Sequence, residues 1–237
     1  MTKTLNSTER EPLVSRRVML GAAGVATAAL IVSLITSRGS RTDTASKGVR
    51  RRTAARMSPE ELLKPGALPD LSIGKADAPV TIVEYASMTC PHCANFHNTV
   101  LPALKEKYID KGQVRLIFRE FPFDERGALA AMMARCAGGD RALPLISMLY
   151  AKQEDWAAAK TDFLQKLFTY AQQAGFTRQA FDQCRQNEKL LKNLIAVRDR
   201  GVAFGVNSTP TFFVNGKKLA GTTIEDFDKA IGPVLNP

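Results

Sequence analysis

The chain has 237 residues, 45% of them hydrophobic and 24% charged, the composition of a globular protein large enough to bury a sizeable core. Its formal charge of +10 is concentrated at one end: residues 1–56 hold 11 Lys/Arg against 3 Asp/Glu, a net of +8, and the remainder holds 22 against 20, a net of +2. A near-neutral folded part argues against nucleic-acid binding, which needs clustered positive charge on folded structure, and no internal repeat is visible.

In chain order, the first feature is an apolar run from Val18 to Ile35, rich in Ala and Gly and preceded by Ser15, Arg16 and Arg17. Two arginines ahead of a moderately hydrophobic run resemble a twin-arginine export signal. The alternatives are an ordinary secretory signal or an uncleaved membrane anchor, since the run is near the lower limit for spanning a bilayer. Residues 1–37 are therefore read as an export signal or an N-terminal anchor. Arg38, Arg41, Lys47, Arg50, Arg51, Arg52 and Arg56 follow the run and outnumber the basic residues before it, so the positive-inside rule alone would hold that flank in the cytosol. The export signal and the four cysteines oppose this, and export is favoured. Residues 38–66 read as a basic flexible linker, rich in Arg, Thr, Ser and Ala without apolar periodicity. It contains one short helix near its end, capped by Ser58 with Glu61 three residues later.

The folded part begins with a short edge strand at Leu68–Ile73 and a turn at Lys75–Pro79. Val80–Ala86 is nearly all apolar, as in a central strand buried on both faces, and Glu84 is its misfit: either buried for a reason or at a wet strand end. A helix from Cys93 to about Tyr108 follows, with Pro102 as a candidate kink, then a strand at Val114–Arg119. The strand–helix–strand order suggests a parallel pair with a right-handed crossover. From about 124 to 204 the apolar stripes are helical: Leu129, Met132 and Cys136; Leu145, Met148 and Leu149 after Pro144; Phe163, Leu164, Leu167, Phe168 and Ala171; Phe181 and Cys184 after a Thr177 cap; Leu190, Leu194, Val197 and Val202. Thr211–Val214 reads as a strand, Asn215-Gly216 as a type I′ turn and Lys217–Ala220 as the returning strand. A last helix follows a capping box at Thr222–Asp226 and carries Ile224, Phe227 and Ile231.

The chemistry is concentrated at Cys90-Pro91-His92-Cys93, two cysteines separated by two residues at a strand-to-helix junction, the form of a redox dithiol. Cys90 would sit at the helix N-terminus, where free N–H groups and the dipole stabilise a thiolate. Pro91 suits the first helical turn, His92 can add charge or a hydrogen bond beside the sulfur, and Cys93 lies one turn further in. Together with Gly205–Gly216, which contains Thr209-Pro210, this motif resembles the DsbA-like thiol:disulfide oxidoreductases of the thioredoxin superfamily, from about Leu68 to the C-terminus. The resemblance implies an α/β thioredoxin fold over residues 67–237 with an inserted helical subdomain at about 124–204. It implies that Glu84 is the acidic residue buried beneath the dithiol, that Pro210 is cis and faces it, and that Thr209 offers backbone groups to a substrate segment.

The reaction is then thiol–disulfide exchange at Cys90 and Cys93, with no cofactor. The leading expectation is a periplasmic dithiol oxidase acting on unfolded or reduced exported proteins and reoxidised by a DsbB-type, quinone-linked membrane partner. A reductase or isomerase is the alternative in the same class, because isomerases of the superfamily also place Thr before the cis-proline. A membrane-tethered, non-catalytic chaperone module is the alternative outside it. Cys136 and Cys184 are expected to form a structural disulfide, as a few relatives carry a second bond, with two buried free thiols as the alternative. A zinc site is not expected: the chain has two histidines, His92 and His97, and no second CxxC.

Overall fold

The computed structural model describes residues 58–158, 160 and 162–236; the expected export signal or anchor, and the linker up to residue 57, lie outside the described residues. Among the described residues no helix is long and apolar enough to cross a membrane.

A five-stranded sheet carries the fold. Its strands are β1 (Leu71–Ile73), β2 (Val80–Ala86), β3 (Val114–Glu120), β4 (Thr211–Val214) and β5 (Lys217–Lys218), in spatial order β1-β3-β2-β4-β5. The pair β2–β3 is parallel, with Glu84 opposite Phe118, and the other pairs are antiparallel. Side chains alternate across a strand, and β2 separates two cores accordingly. Val80 and Ile82 pack with Phe96, Leu104, Phe212, Phe227 and Ile231. Val83 and Tyr85 pack on the other face with Leu62, Ile117, Phe121, Val206 and Phe213. The same alternation puts Glu84 on the face of Ile82, under the helix that follows the dithiol.

That helix, α2, runs over residues 91–109. It is α-helical at Pro91–Asn95 and Leu101–Leu104, and π-helical at Phe96–Val100 and Lys105–Ile109. The expected kink at Pro102 takes this form because proline has no N–H to donate back along the helix and its ring crowds the preceding turn. The wider turn, in which Leu101 N–H bonds to Phe96 O, accommodates it.

Between β3 and β4 lie six helices: α3 (Glu125–Ala137), α4 (Ala142–Ala151), α5 (Gln153–Ala157), α6 (Phe163–Gln173), α7 (Arg178–Arg185) and α8 (Glu188–Ala203). The second stripe begins at Ala142 rather than Pro144, because a 3₁₀ turn at Gly139–Arg141 leads straight into it. Helix α5 has no counterpart among the expected elements; its two buried side chains, Gln153 and Trp156, make no readable stripe. The structure joins Cys136 on α3 to Cys184 on α7 in a disulfide spanning 48 residues. Replacing both cysteines with alanine is expected to cost about 2–4 kcal/mol, by freeing a loop of that length in the unfolded chain. The shift of the urea midpoint under non-reducing conditions measures it.

Two boundaries differ from expectation. Strand β1 pairs only from Leu71, and β5 only over Lys217–Lys218, although Leu219 N–H still reaches Phe212 O at 2.9 Å. The linker is also shorter than its composition suggests. Residues 58–66 belong to the folded body: α1 (Pro59–Leu63) buries Leu62, and its carbonyls are taken by arginines from distant elements. Arg119 Nη1 donates to Leu62 O at 2.6 Å, and Arg200 donates to Glu61 O and to Pro65 O. Pro59 closes on the hairpin turn, where Asn215 and Gly216 both have positive φ. A Cβ at Gly216 would lie 2.2 Å from that of Pro59, so the position requires glycine for space as well as for backbone angle. The last helix, α9 (Ile224–Leu235), starts with the expected capping box, Thr223 and Asp226 bonding reciprocally.

Candidate active site

Cys90 is the N-cap of α2 and Pro91 its first residue. The geometry makes the two sulfurs unequal. Cys90 is partly exposed and Cys93 fully buried, both as free thiols. The Cys90 thiol is lowered to about 5, chiefly because the Cys93 thiol hydrogen-bonds to its sulfur; Thr209 and the backbone N–H groups of Cys93 and His92 add to this, against a partial burial that works the other way. The free N–H groups of a helix N-terminus therefore act as donors to the thiolate. Burial pushes the Cys93 thiol far above the ordinary thiol range, and its hydrogen bond to Cys90 and the nearby Glu84 charge push the same way.

The expected residues converge here. Thr209-Pro210 is a cis peptide, and Thr209 O accepts a hydrogen bond from Cys90 Sγ at 3.3 Å. Glu84 lies in the same interior with 0% exposure, which removes the wet-strand-end alternative. His92 contributes its N–H, while its ring is exposed. Cys136 and Cys184 are drawn together in the helical subdomain as a separate bond.

Several neighbours were not singled out from the sequence. His97 Nε2 lies 3.1 Å from each Glu84 oxygen, and its ring stacks on Tyr150 at 4.3 Å. Tyr150 OH donates to Ser87 O, and the Gln153 amide donates to both Met88 O and Cys90 O. Thr89 Oγ1 donates to Asp124, which also caps α3 through Gly127 N–H. The available signal for His97 was its i+4 spacing from Cys93, which places both on one helix face, together with an apolar strand carrying one carboxylate. Beside the dithiol is a groove of about 550 Å³ of mixed polar and apolar lining, which includes Pro91, Asn95, Asn98, Tyr150, Lys152 and Gln153. Among the described residues no His, Cys, Asp or Glu cluster could hold a metal ion.

A family model described as Thioredoxin matches residues 67–232. A relative from Rickettsia bellii (strain RML369-C), provisionally named protein-disulfide oxidoreductase, is 33% identical over 169 residues, covering 70% of this chain and 64% of the relative. A Bacillus anthracis relative, provisionally named disulfide bond formation protein D, is 32% identical over 172 residues, covering 69% of this chain and 77% of its own length. The chain thus spans a little under two thirds of the Rickettsia bellii relative. Among solved structures, Wolbachia pipientis alpha-DsbA1 aligns with a TM-score of 0.67 at 32% identity, covering 76% of this chain and 98% of that one. With the sheet order, the helical subdomain and the dithiol at the start of α2, these matches show that the chain belongs to the DsbA-like thiol–disulfide oxidoreductases of the thioredoxin superfamily.

Proposed function

We propose that the protein is a dithiol oxidase that transfers the Cys90–Cys93 disulfide to reduced, exported proteins. The observation that carries this is the unequal pair of sulfurs, with Cys90 lowered to about 5 and Cys93 buried and held as a thiol. A stabilised Cys90 thiolate favours the reduced form of the pair, which makes the disulfide form an oxidant. Cys90 is then the sulfur attacked by a substrate thiolate, because it is the one solvent reaches. Cys93 is the sulfur released in that step, and Thr209 and Pro210 form the wall against which the substrate segment lies. The pair would be reoxidised by a DsbB-type, quinone-linked membrane partner. The N-terminal apolar run would direct the chain to an oxidising compartment such as the periplasm.

The equilibrium reduction potential of Cys90–Cys93, titrated against glutathione and read by mass on the peptide carrying both, tests the reading. About 30 mV is a tenfold change in the exchange constant. The expected value lies well above the glutathione poise. A value near or below that of thioredoxin would overturn the oxidase reading in favour of a reductase or isomerase, a role with which Thr209 before the cis-proline is compatible.

A further inference from the structure

The thiol that must change protonation state is the one water does not reach. Cys93 is fully buried, and in a dry setting it cannot persist as a thiolate, so a proton has to arrive as its bond to Cys90 breaks. Glu84, equally buried and acting electrostatically on Cys93, is the acid at hand. A carboxylic acid gives up its proton in such a place only if something receives the charge it acquires. The structure supplies one group that does so. His97 reaches across from α2 with Nε2 at 3.1 Å from both Glu84 oxygens, the symmetric arrangement of one N–H shared by a carboxylate.

The other ring nitrogen indicates the tautomer. His97 Nδ1 is buried and has no hydrogen-bond partner. Placing the single ring proton on Nε2 satisfies both carboxylate oxygens and leaves only a lone pair unpaired at Nδ1. The opposite tautomer would set a bare nitrogen against the carboxylate and a buried N–H against nothing. The ring is held for this task. It stacks on Tyr150 and meets Phe96 and Phe118 edge-on, at 5.4 and 5.9 Å.

We propose that His97 is a positioning residue for proton delivery to Cys93: its Nε2–H orients Glu84 and receives the carboxylate that forms when Glu84 gives up its proton. This rests on the exchange reading above. In the disulfide form of the pair, a substrate thiolate attacks Cys90 Sγ. The substrate sulfur–Cys90 bond forms, the Cys90–Cys93 bond breaks, and the electron pair goes to Cys93 Sγ. A proton moves from a Glu84 oxygen to Cys93 Sγ, and Glu84 is left as a carboxylate bonded through both oxygens to His97 Nε2–H. The substrate sulfur is oxidised and Cys93 reduced. A second substrate thiolate then attacks the substrate sulfur of the mixed disulfide and releases Cys90 as the thiolate.

The ionisable side chains in contact with the ring are Glu84 from β2 and Tyr150 from α4, and Cys93 precedes it by four residues on α2. Tyr150 is held protonated chiefly by its burial, and its OH is committed to Ser87 O. On β3 the ring meets Phe118; Glu120, which acts electrostatically on Tyr150, is bound by Arg135.

Two measurements test the role on the full chain. In the wild type, ¹⁵N and ¹H NMR of the His97 ring at pH 7 should show a protonated Nε2 and a bare Nδ1 in the dithiol form. The Nε2–H proton should move upfield on oxidation, when the carboxylate it faces becomes protonated; a signal identical in both forms overturns the proposal without any variant. In stopped-flow reduction of the disulfide by a peptide dithiol, His97→Leu should slow the reaction about a hundredfold, the scale of general-acid assistance. His97→Gln, whose amide N–H can replace Nε2–H, should recover about tenfold of the loss. A His97→Leu variant with the wild-type rate, or a His97→Gln variant no faster than it, overturns the proposal. The glutathione titration is independent: a low potential with this behaviour intact overturns the oxidase reading alone.

Discussion

Replacing Cys93 with alanine is expected to abolish oxidative turnover while leaving a folded protein whose Cys90 is less acidic. Turnover is lost because the oxidising equivalent is the bond between the two sulfurs, and no other free thiol exists among the described residues to replace the buried one. The change at Cys90 follows from the ordering of causes: the Cys93 thiol is the largest contributor to the low value of about 5, ahead of Thr209 and the N–H groups of residues 92 and 93. In the wild-type dithiol form, alkylation of Cys90 by iodoacetamide should therefore reach half its maximal rate near pH 5. In Cys93→Ala that midpoint should rise toward the ordinary thiol range, stopping short of it because the helix N–H groups remain. Linkage gives the corresponding stability. Above about pH 5 the folded dithiol form has lost the Cys90 proton that the unfolded chain still holds, so its stability rises with pH from there to the ordinary thiol range and is lost as pH falls through 5. Oxidative refolding of a reduced protein substrate checks the first part and pH-resolved alkylation the second. Residual turnover in Cys93→Ala, or an unmoved midpoint, would contradict the roles assigned to the two sulfurs.

The second large effect lies away from the sulfurs. Arg119, on β3, is 3% exposed, and its guanidinium is shared among the Asp70 carboxylate, Leu62 O, Lys64 O and Tyr85 OH, at 2.6 to 3.3 Å. Truncation to methionine keeps the stem but leaves Asp70 without its counter-charge and two carbonyls without a donor. Removing one partner of a buried pair costs about 3–5 kcal/mol, a large share of the roughly 5–15 kcal/mol that holds a typical domain together. Urea denaturation of Arg119→Met should show a loss of that size, with α1 the first part to become protease-sensitive. A loss below about 1 kcal/mol would mean that the network behaves like an exposed ion pair.

Much of this fold was legible because its signals are local. The cap at Ser58, the Thr177 cap, the Thr223–Asp226 box and the Asn215-Gly216 turn each depend on a few adjacent residues, and each lies where those residues point. The two cysteines were likewise legible as unequal, since a helix N-terminus is itself a local feature. What escaped depends on partners distant in the chain. Helix α1 has a linker's composition and is docked because arginines 119 and 200 supply donors to its carbonyls. Gln153 looks like a surface residue of a short polar stretch until its amide is seen on the carbonyls of Met88 and Cys90. His97 attracted notice only as a poor metal ligand; its pairing required knowing that Glu84 is buried and on which face.

The contacts of helices α4 and α5 with the loop at residues 87–90 bear on any attempt to move this reactivity elsewhere. Tyr150 and Gln153 fix three of the four carbonyls of that loop, at Ser87, Met88 and Cys90, and Asn98 ties α2 to Tyr150 O. The helical subdomain is thus a splint for the backbone that aims the N–H groups at the Cys90 sulfur. Grafting the tetrapeptide alone onto another thioredoxin scaffold would transplant the letters and leave the splint behind. The acidity of the first sulfur is a property of two substructures clamped together, and it travels only with both.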